Sequence, residues 1–146
     1  MRNEKDIENA AIEYADGVFR SYWYYHDQVE AAKEQLDLIE YKLVGVRSPQ
    51  IKSPEEAKYQ NSPTVYKDKH IELIEKKDHI LEKIDEAKRS IDAIDLFLDV
   101  LSEENRRLMT LYYIDRLSLD TVARKVYMST PTVWRHIRKC LLMFAD

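Results

Sequence analysis

From Leu73 to Leu101 the apolar residues recur at three- and four-residue steps. They are Leu73, Ile80, Ile84, Ala87, Ile91, Ile94, Leu98 and Leu101, with Lys77 in the one missing place. This spacing keeps a single stripe of a helix on one side, facing a partner helix. A helix this long is not stable by propensity alone, so the stripe must be buried. An earlier stripe offers the match: Ala11, Ala15, Val18, Tyr22, Tyr25, Val29, Ala32, Leu36, Ile39 and Leu43. The simplest fold pairs the two as a long, coiled-coil-like antiparallel helical hairpin. The hairpin closes within one chain or between two, and pairing between chains gives a homodimer or higher oligomer.

Composition supports an all-α reading. The 146 residues include only Gly17 and Gly45 as glycines, and prolines are sparse. The spacing predicts helix from residue 1 to about 44. Gly17 costs about 1 kcal/mol relative to Ala and marks a break after a short first helix. Gly45 ends the second. Residues 46–65, VRSPQIKSPEEAKYQNSPTV, carry three Ser-Pro steps, which favour turns, and a linker is placed at about 46–63. Within it, Ser53 to Glu56 fits a capping box. Ser62-Pro63 opens the next helix, from about Thr64 to Val100. The aromatic cluster Tyr14, Phe19, Tyr22, Trp23, Tyr24 and Tyr25 has Arg20 as its only basic neighbour and Asp16, Asp27 and Glu30 close by. That setting suits packing or a protein interface better than base stacking.

The C-terminal third has a different pattern. Ser102 can cap a helix over about Glu103 to Asp115, with acidic groups at its positive end. In this helix Arg106 and Arg107 suit phosphate contact or solvent equally. Leu119, Val122, Ala123 and Val126 then repeat at helical spacing and stop, and Val133, Ile137, Cys140, Leu141 and Phe144 resume it. Between them lies Tyr127-Met128-Ser129. Ser129 is a good N-cap, and Pro131 falls in the first turn, where its missing N–H costs little. Opposite the apolar face of this last helix stand Pro131, Arg135, Arg138 and Leu142, flanked by Thr132, Trp134 and Lys139. An arginine can donate two hydrogen bonds to a guanine edge, and a helix N-terminus attracts phosphate. Two short helices with such a second helix read as a helix-turn-helix that puts residues 129–144 in the major groove.

Charge is distributed to match. Residues 1–100 carry 15 Lys/Arg against 22 Asp/Glu, a net of −7, whereas residues 101–146 carry 8 against 5, a net of +3. An acidic body with a basic end orients the chain toward a polyanion. The reading is therefore residues 1–100 as a helical scaffold or oligomerisation region and residues 101–146 as a trihelical DNA-binding domain. The expected groove contacts are Ser129, Thr130, Thr132, Trp134, Arg135, Arg138 and Lys139, with Arg124 and Lys125 on phosphates. Double-stranded DNA is the expected partner.

No catalytic residue, metal site or cofactor is expected. His26, His70, His79 and His136 share no ligand spacing with one another or with Cys140, and no glycine-rich phosphate loop exists. No stretch is apolar enough to span a membrane, and the first residues contain no signal-peptide core, so a cytoplasmic protein is expected.

Leu101 to Phe144 resembles the region 4-like helix-turn-helix of bacterial sigma factors. The resemblance rests on Leu101, Leu108 to Tyr113, Ser118 with Ala123, and Ser129-Thr130-Pro131-Thr132-Val133. The longer arrangement is similar to phage-encoded late-gene transcriptional regulators of the ArpU/RinA-like kind. Their helical N-terminal part has a Pro-containing interruption, and their helix-turn-helix ends on a step like Leu141-Leu142-Met143-Phe144. The resemblance implies activation of transcription from a phage or prophage promoter, with RNA polymerase as a further partner. Departures are Tyr127 where Gly is frequent in the turn, Trp134 where a basic residue is frequent, and Thr121 in place of the usual Glu. Two other readings fit the same residues. One is a DNA-packaging protein like a small terminase, and the other is an adaptor that binds RNA polymerase or a sigma factor without touching DNA.

Overall fold

The computed structural model describes residues 3–47 and 63–146. The linker of about 46–63 falls largely outside the described residues, as do the Ser53–Glu56 capping box and the Ser62 cap. Among the described residues the chain is all-α, with no strand, and no helix is long and apolar enough to cross a membrane.

Helix α1 spans Glu4–Arg20 and α2 spans Tyr22–Arg47. Asn3 caps α1, its side chain accepting from the Asp6 N–H at 2.9 Å. The break expected at Gly17 falls at Ser21 instead. There the Ser21 hydroxyl donates to the Gly17 carbonyl at 2.8 Å, and its own N–H turns to the same oxygen. A hydroxyl competing for a helix carbonyl ends the regular ladder where a glycine only weakens it. Gly45 likewise does not end α2. It takes no left-handed conformation, and the helix continues to Arg47.

Helix α3 spans Pro63–Val100. By their contacts the described residues divide into two compact units. One comprises residues up to His26 with Arg89–Asp146, and the other Asp27–Lys88. In the second unit Val29, Ala32, Ile39 and Leu43 of α2 and Ile80, Ile84 and Ala87 of α3 are buried. These are the seam positions. Lys77, the polar residue in the α3 seam, is half-buried and holds its ammonium 3.7 Å from the Glu40 carboxylate.

In the first unit, α3 ends at Val100 and Ser102 caps α4, Glu103–Met109, accepting from the Asn105 N–H at 3.2 Å. The helix expected to continue to Asp115 widens into a π-helical turn, Thr110–Ile114. Its signature is the Asp115 N–H donating to the Thr110 carbonyl at 2.9 Å. The wider turn carries Tyr112 and Tyr113 edge to face, with ring centroids 4.7 Å apart. Helix α5 spans Leu119–Val126 and α6 spans Thr130–Ala145.

The core of this unit joins Leu108, Met109, Val122, Val133, Ile137 and Leu141 to residues from well outside 101–146. Ile94 and Leu98 enter from α3, and Ile12, Ala15 and Phe19 from α1. The unit therefore does not begin at residue 101. Helix α1 packs against α6. Its buried stripe is Ile12, Ala15 and Phe19, whereas of the expected seam residues Ala11, Ala15 and Val18 only Ala15 is fully buried. The aromatic cluster divides accordingly. Phe19 is fully buried against Phe97, Tyr113 and Phe144, and Tyr22 and Tyr25 pack on the core edge, whereas Tyr14 and Tyr24 are exposed.

Candidate nucleic-acid interface

The last two helices are started by the same device. Ser118 accepts from the Thr121 N–H at 3.2 Å, and Ser129 accepts from the Thr132 N–H at 3.3 Å. In each the serine hydroxyl also meets the threonine hydroxyl, at 2.8 Å and 2.6 Å. In each Ser-x-x-Thr, the serine hydroxyl thus holds both the backbone N–H and the hydroxyl of the threonine and fixes a helix start. Pro131 sits in the first turn of α6.

The turn between them is closed by Tyr127. It takes the left-handed conformation with φ 57°, and the next N–H, that of Met128, donates to the Ala123 carbonyl at 3.0 Å. This is the geometry for which glycine is preferred. Here a tyrosine that is 94% exposed adopts it. The left-handed position of this turn is therefore held by a tyrosine in place of a glycine.

Helix α6 buries Val133, Ile137, Cys140 and Leu141 almost completely. Burial pushes the Cys140 thiol above its ordinary value, as expected of a small packed hydrophobe. Arg135 and Lys139 are exposed, and so are Arg124 and Lys125 on α5. Trp134 and Leu142 are half-buried and lean on the core. Their apolar surface on the otherwise polar side of α6 is thus partly accounted for by packing.

The remaining expected contacts are held more tightly. The Thr130 hydroxyl donates to the Asp120 carboxylate at 2.9 Å, linking the N-termini of α5 and α6. The Thr132 and Ser129 hydroxyls are engaged with each other in the cap. Arg138 is half-buried, with a guanidinium nitrogen 3.9 Å from the Glu8 carboxylate of α1. Arg135 and Lys139, whose cationic groups are exposed, are the groups of α6 best placed to meet an outside partner.

Arg106 and Arg107 are both occupied. Arg106 donates to the carbonyls of Leu98 at 2.9 Å, Asp99 at 2.9 Å and Leu101 at 3.3 Å. It satisfies the end of α3, where helix carbonyls lack partners. Arg107 reaches the Lys125 carbonyl at 3.5 Å.

The residues missed in the sequence are those that lock α1 to this unit. Asp16 accepts from the Tyr113 hydroxyl at 2.7 Å and from Arg20 Nε at 2.8 Å, while Arg20 donates a second bond to the Tyr112 hydroxyl at 2.8 Å. Burial, and then the Asp16 carboxylate, hold the Tyr113 phenol protonated well above its ordinary range. Beside this network opens a groove of about 540 Å³, bounded by Arg20, Arg116, Tyr112–Tyr113 and Ser118–Leu119. The Asp16–Arg20 pair is local, but nothing local in the sequence signals the bonds to Tyr113 and Tyr112, which lie 97 and 92 residues away.

Among the described residues no three His, Cys, Asp or Glu side chains gather as a metal site. No protein-family model, curated protein or solved structure matches the chain.

Proposed function

We propose that the protein is a sequence-specific, double-stranded-DNA-binding transcription regulator. Helices α4, α5 and α6 act as a trihelical helix-turn-helix unit, and α6 enters the major groove. The long helices α2 and α3 form a helical hairpin that carries this unit. The carrying observation is α6 itself. It is a capped helix with a fully packed back (Val133, Ile137, Cys140, Leu141), and it presents Arg135 and Lys139 to solvent. Arg135 is the base reader in this reading. Arg124 and Lys125 position the unit on phosphates, and Thr130, Thr132 and Ser129 set the helix start that approaches the backbone. Action as a phage or prophage late-gene activator rests on the sequence resemblance.

Selection of bound duplexes from a random pool tests the reading. A defined motif is expected, and a palindromic one also reports a dimer. Recovery of no duplex above background would sink DNA binding and favour the adaptor reading. On the selected site Arg135→Ala is expected to cost roughly 1–3 kcal/mol and relax one base position. Lys125→Ala is expected to weaken all sequences alike and to lower the salt slope by about one.

A further inference from the structure

We propose that the second unit, residues 27–88, carries a docking groove for an acidic amphipathic helix of a partner protein. The groove, about 330 Å³, lies between α2 and α3 and is lined by Leu38, Ile39, Lys42, Lys76, His79, Ile80 and Lys83, with Gln35 at one end. On both helices the lining residues follow the same spacing, i, i+3, i+4 and i+7. The groove therefore runs along two turns of each, about 10 Å. Ile39 and Ile80 are buried and form the floor, while Leu38 stands 55% exposed as an apolar wall. Lys42, Lys76, Lys83 and His79 are exposed along the rim.

Charge decides what fits. Among the described residues no carboxylate lines the groove. Lys76 has one exposed partner, Glu72 at 3.3 Å, a pair of little energetic worth. Lys42 and Lys83 have no ion pair among the described residues. Yet residues 27–88 carry 14 Asp/Glu against 11 Lys/Arg, so this basic row does not follow from the composition of the segment. A row of cations above an apolar floor complements a helix with apolar anchors at i and i+4 flanked by carboxylates. A DNA backbone would leave the apolar floor uncovered. A second copy docked face to face about a two-fold would set lysines against lysines. This groove belongs to the second unit, and its use does not depend on DNA binding by the first.

The test uses the full chain and a fluorescein-labelled, designed helical peptide of about 14 residues. Leucines stand at i, i+4 and i+7, glutamates flank them and alanines fill the rest. The control peptide has every glutamate replaced by lysine. In fluorescence anisotropy the acidic peptide is expected to bind saturably and more weakly as salt rises, and the control not to bind. The pair K42E and K83E together is expected to weaken binding roughly tenfold, and Leu38→Ala several-fold. All three side chains are exposed, and an unchanged circular-dichroism melt confirms folding. Equal binding of both peptides, unchanged binding by both variants, or no saturation below about 1 mM would overturn the proposal. Self-association of the wild type that K42E and K83E abolish would assign the groove to a second copy. Loss of duplex affinity in that variant would assign it to DNA. Either result overturns the proposal too.

Discussion

Phe19→Ala probes the claim that α1 is structurally part of the C-terminal unit. Phe19 is 0% exposed and its ring lies 6.0 Å from Phe97, 5.3 Å from Tyr113 and 4.9 Å from Phe144. Truncating a buried phenylalanine costs about 3–5 kcal/mol. Each aromatic pair contributes about 0.5–1.5 kcal/mol beyond the area it buries, so the loss should lie in the upper half of that range. Set against a typical domain stability of about 5–15 kcal/mol, about 4–5 kcal/mol is decisive. Urea unfolding of the full chain, followed by tryptophan fluorescence from Trp23 and Trp134, measures it. The transition of the C-terminal unit should move to much lower urea, and affinity for a selected duplex should fall with it. A loss below about 1 kcal/mol would refute the reasoning. The C-terminal helices would then hold together without α1.

Tyr127→Gly removes a strained left-handed residue whose ring makes almost no packing. It should stabilise the chain by about 1 kcal/mol, read as a higher urea midpoint. Gly17→Ala should add a similar amount, about 1 kcal/mol, since an added Cβ there meets nothing within 4 Å. Alkaline stability follows from Tyr113 and Tyr22. Both phenols are raised from an ordinary value of 10.0, Tyr22 to about 12 by burial and then by its bond to Asp95. A phenol whose folded pKa is raised lends stability that is intact below the unfolded value. That stability falls as pH rises through the window above it. Unfolding free energy should therefore drop above pH 10.0, and Tyr113→Phe should flatten that drop, as urea titrations across the window would show.

Local chemistry made much of this protein legible in its sequence. The two seams are periodic, so the buried face of each long helix could be read from spacing, down to Lys77 as the odd member. Ser102 and Ser129 each announce a helix start, because a cap is a bond between residues three apart. The π-helical turn at Thr110–Ile114 and the break at Ser21 were not legible. Each depends on which carbonyl wins a hydrogen that several could accept. Gly17 and Gly45 show the converse: a low propensity is overridden when the helix around the glycine buries a stripe, as Ala15 and Phe19 do beside Gly17 and Leu43 does beside Gly45.

Tertiary structure alone decided what α1 belongs to. Its stripe, Ile12, Ala15 and Phe19, has the same spacing whether it meets α3 or α6. Periodicity specifies that a face is buried and never against what. The same holds for the candidate interface. Sequence placed Arg106, Arg107, Arg135, Arg138 and Lys139 among the basic residues of one region, with equal formal charge. Distance separated them: Arg106 and Arg107 close on backbone carbonyls and Arg138 leans toward Glu8, while Arg135 and Lys139 remain presented to solvent. A charge is a property of a residue, but its availability to a partner is set by neighbours brought together from as far as Glu8 is from Arg138.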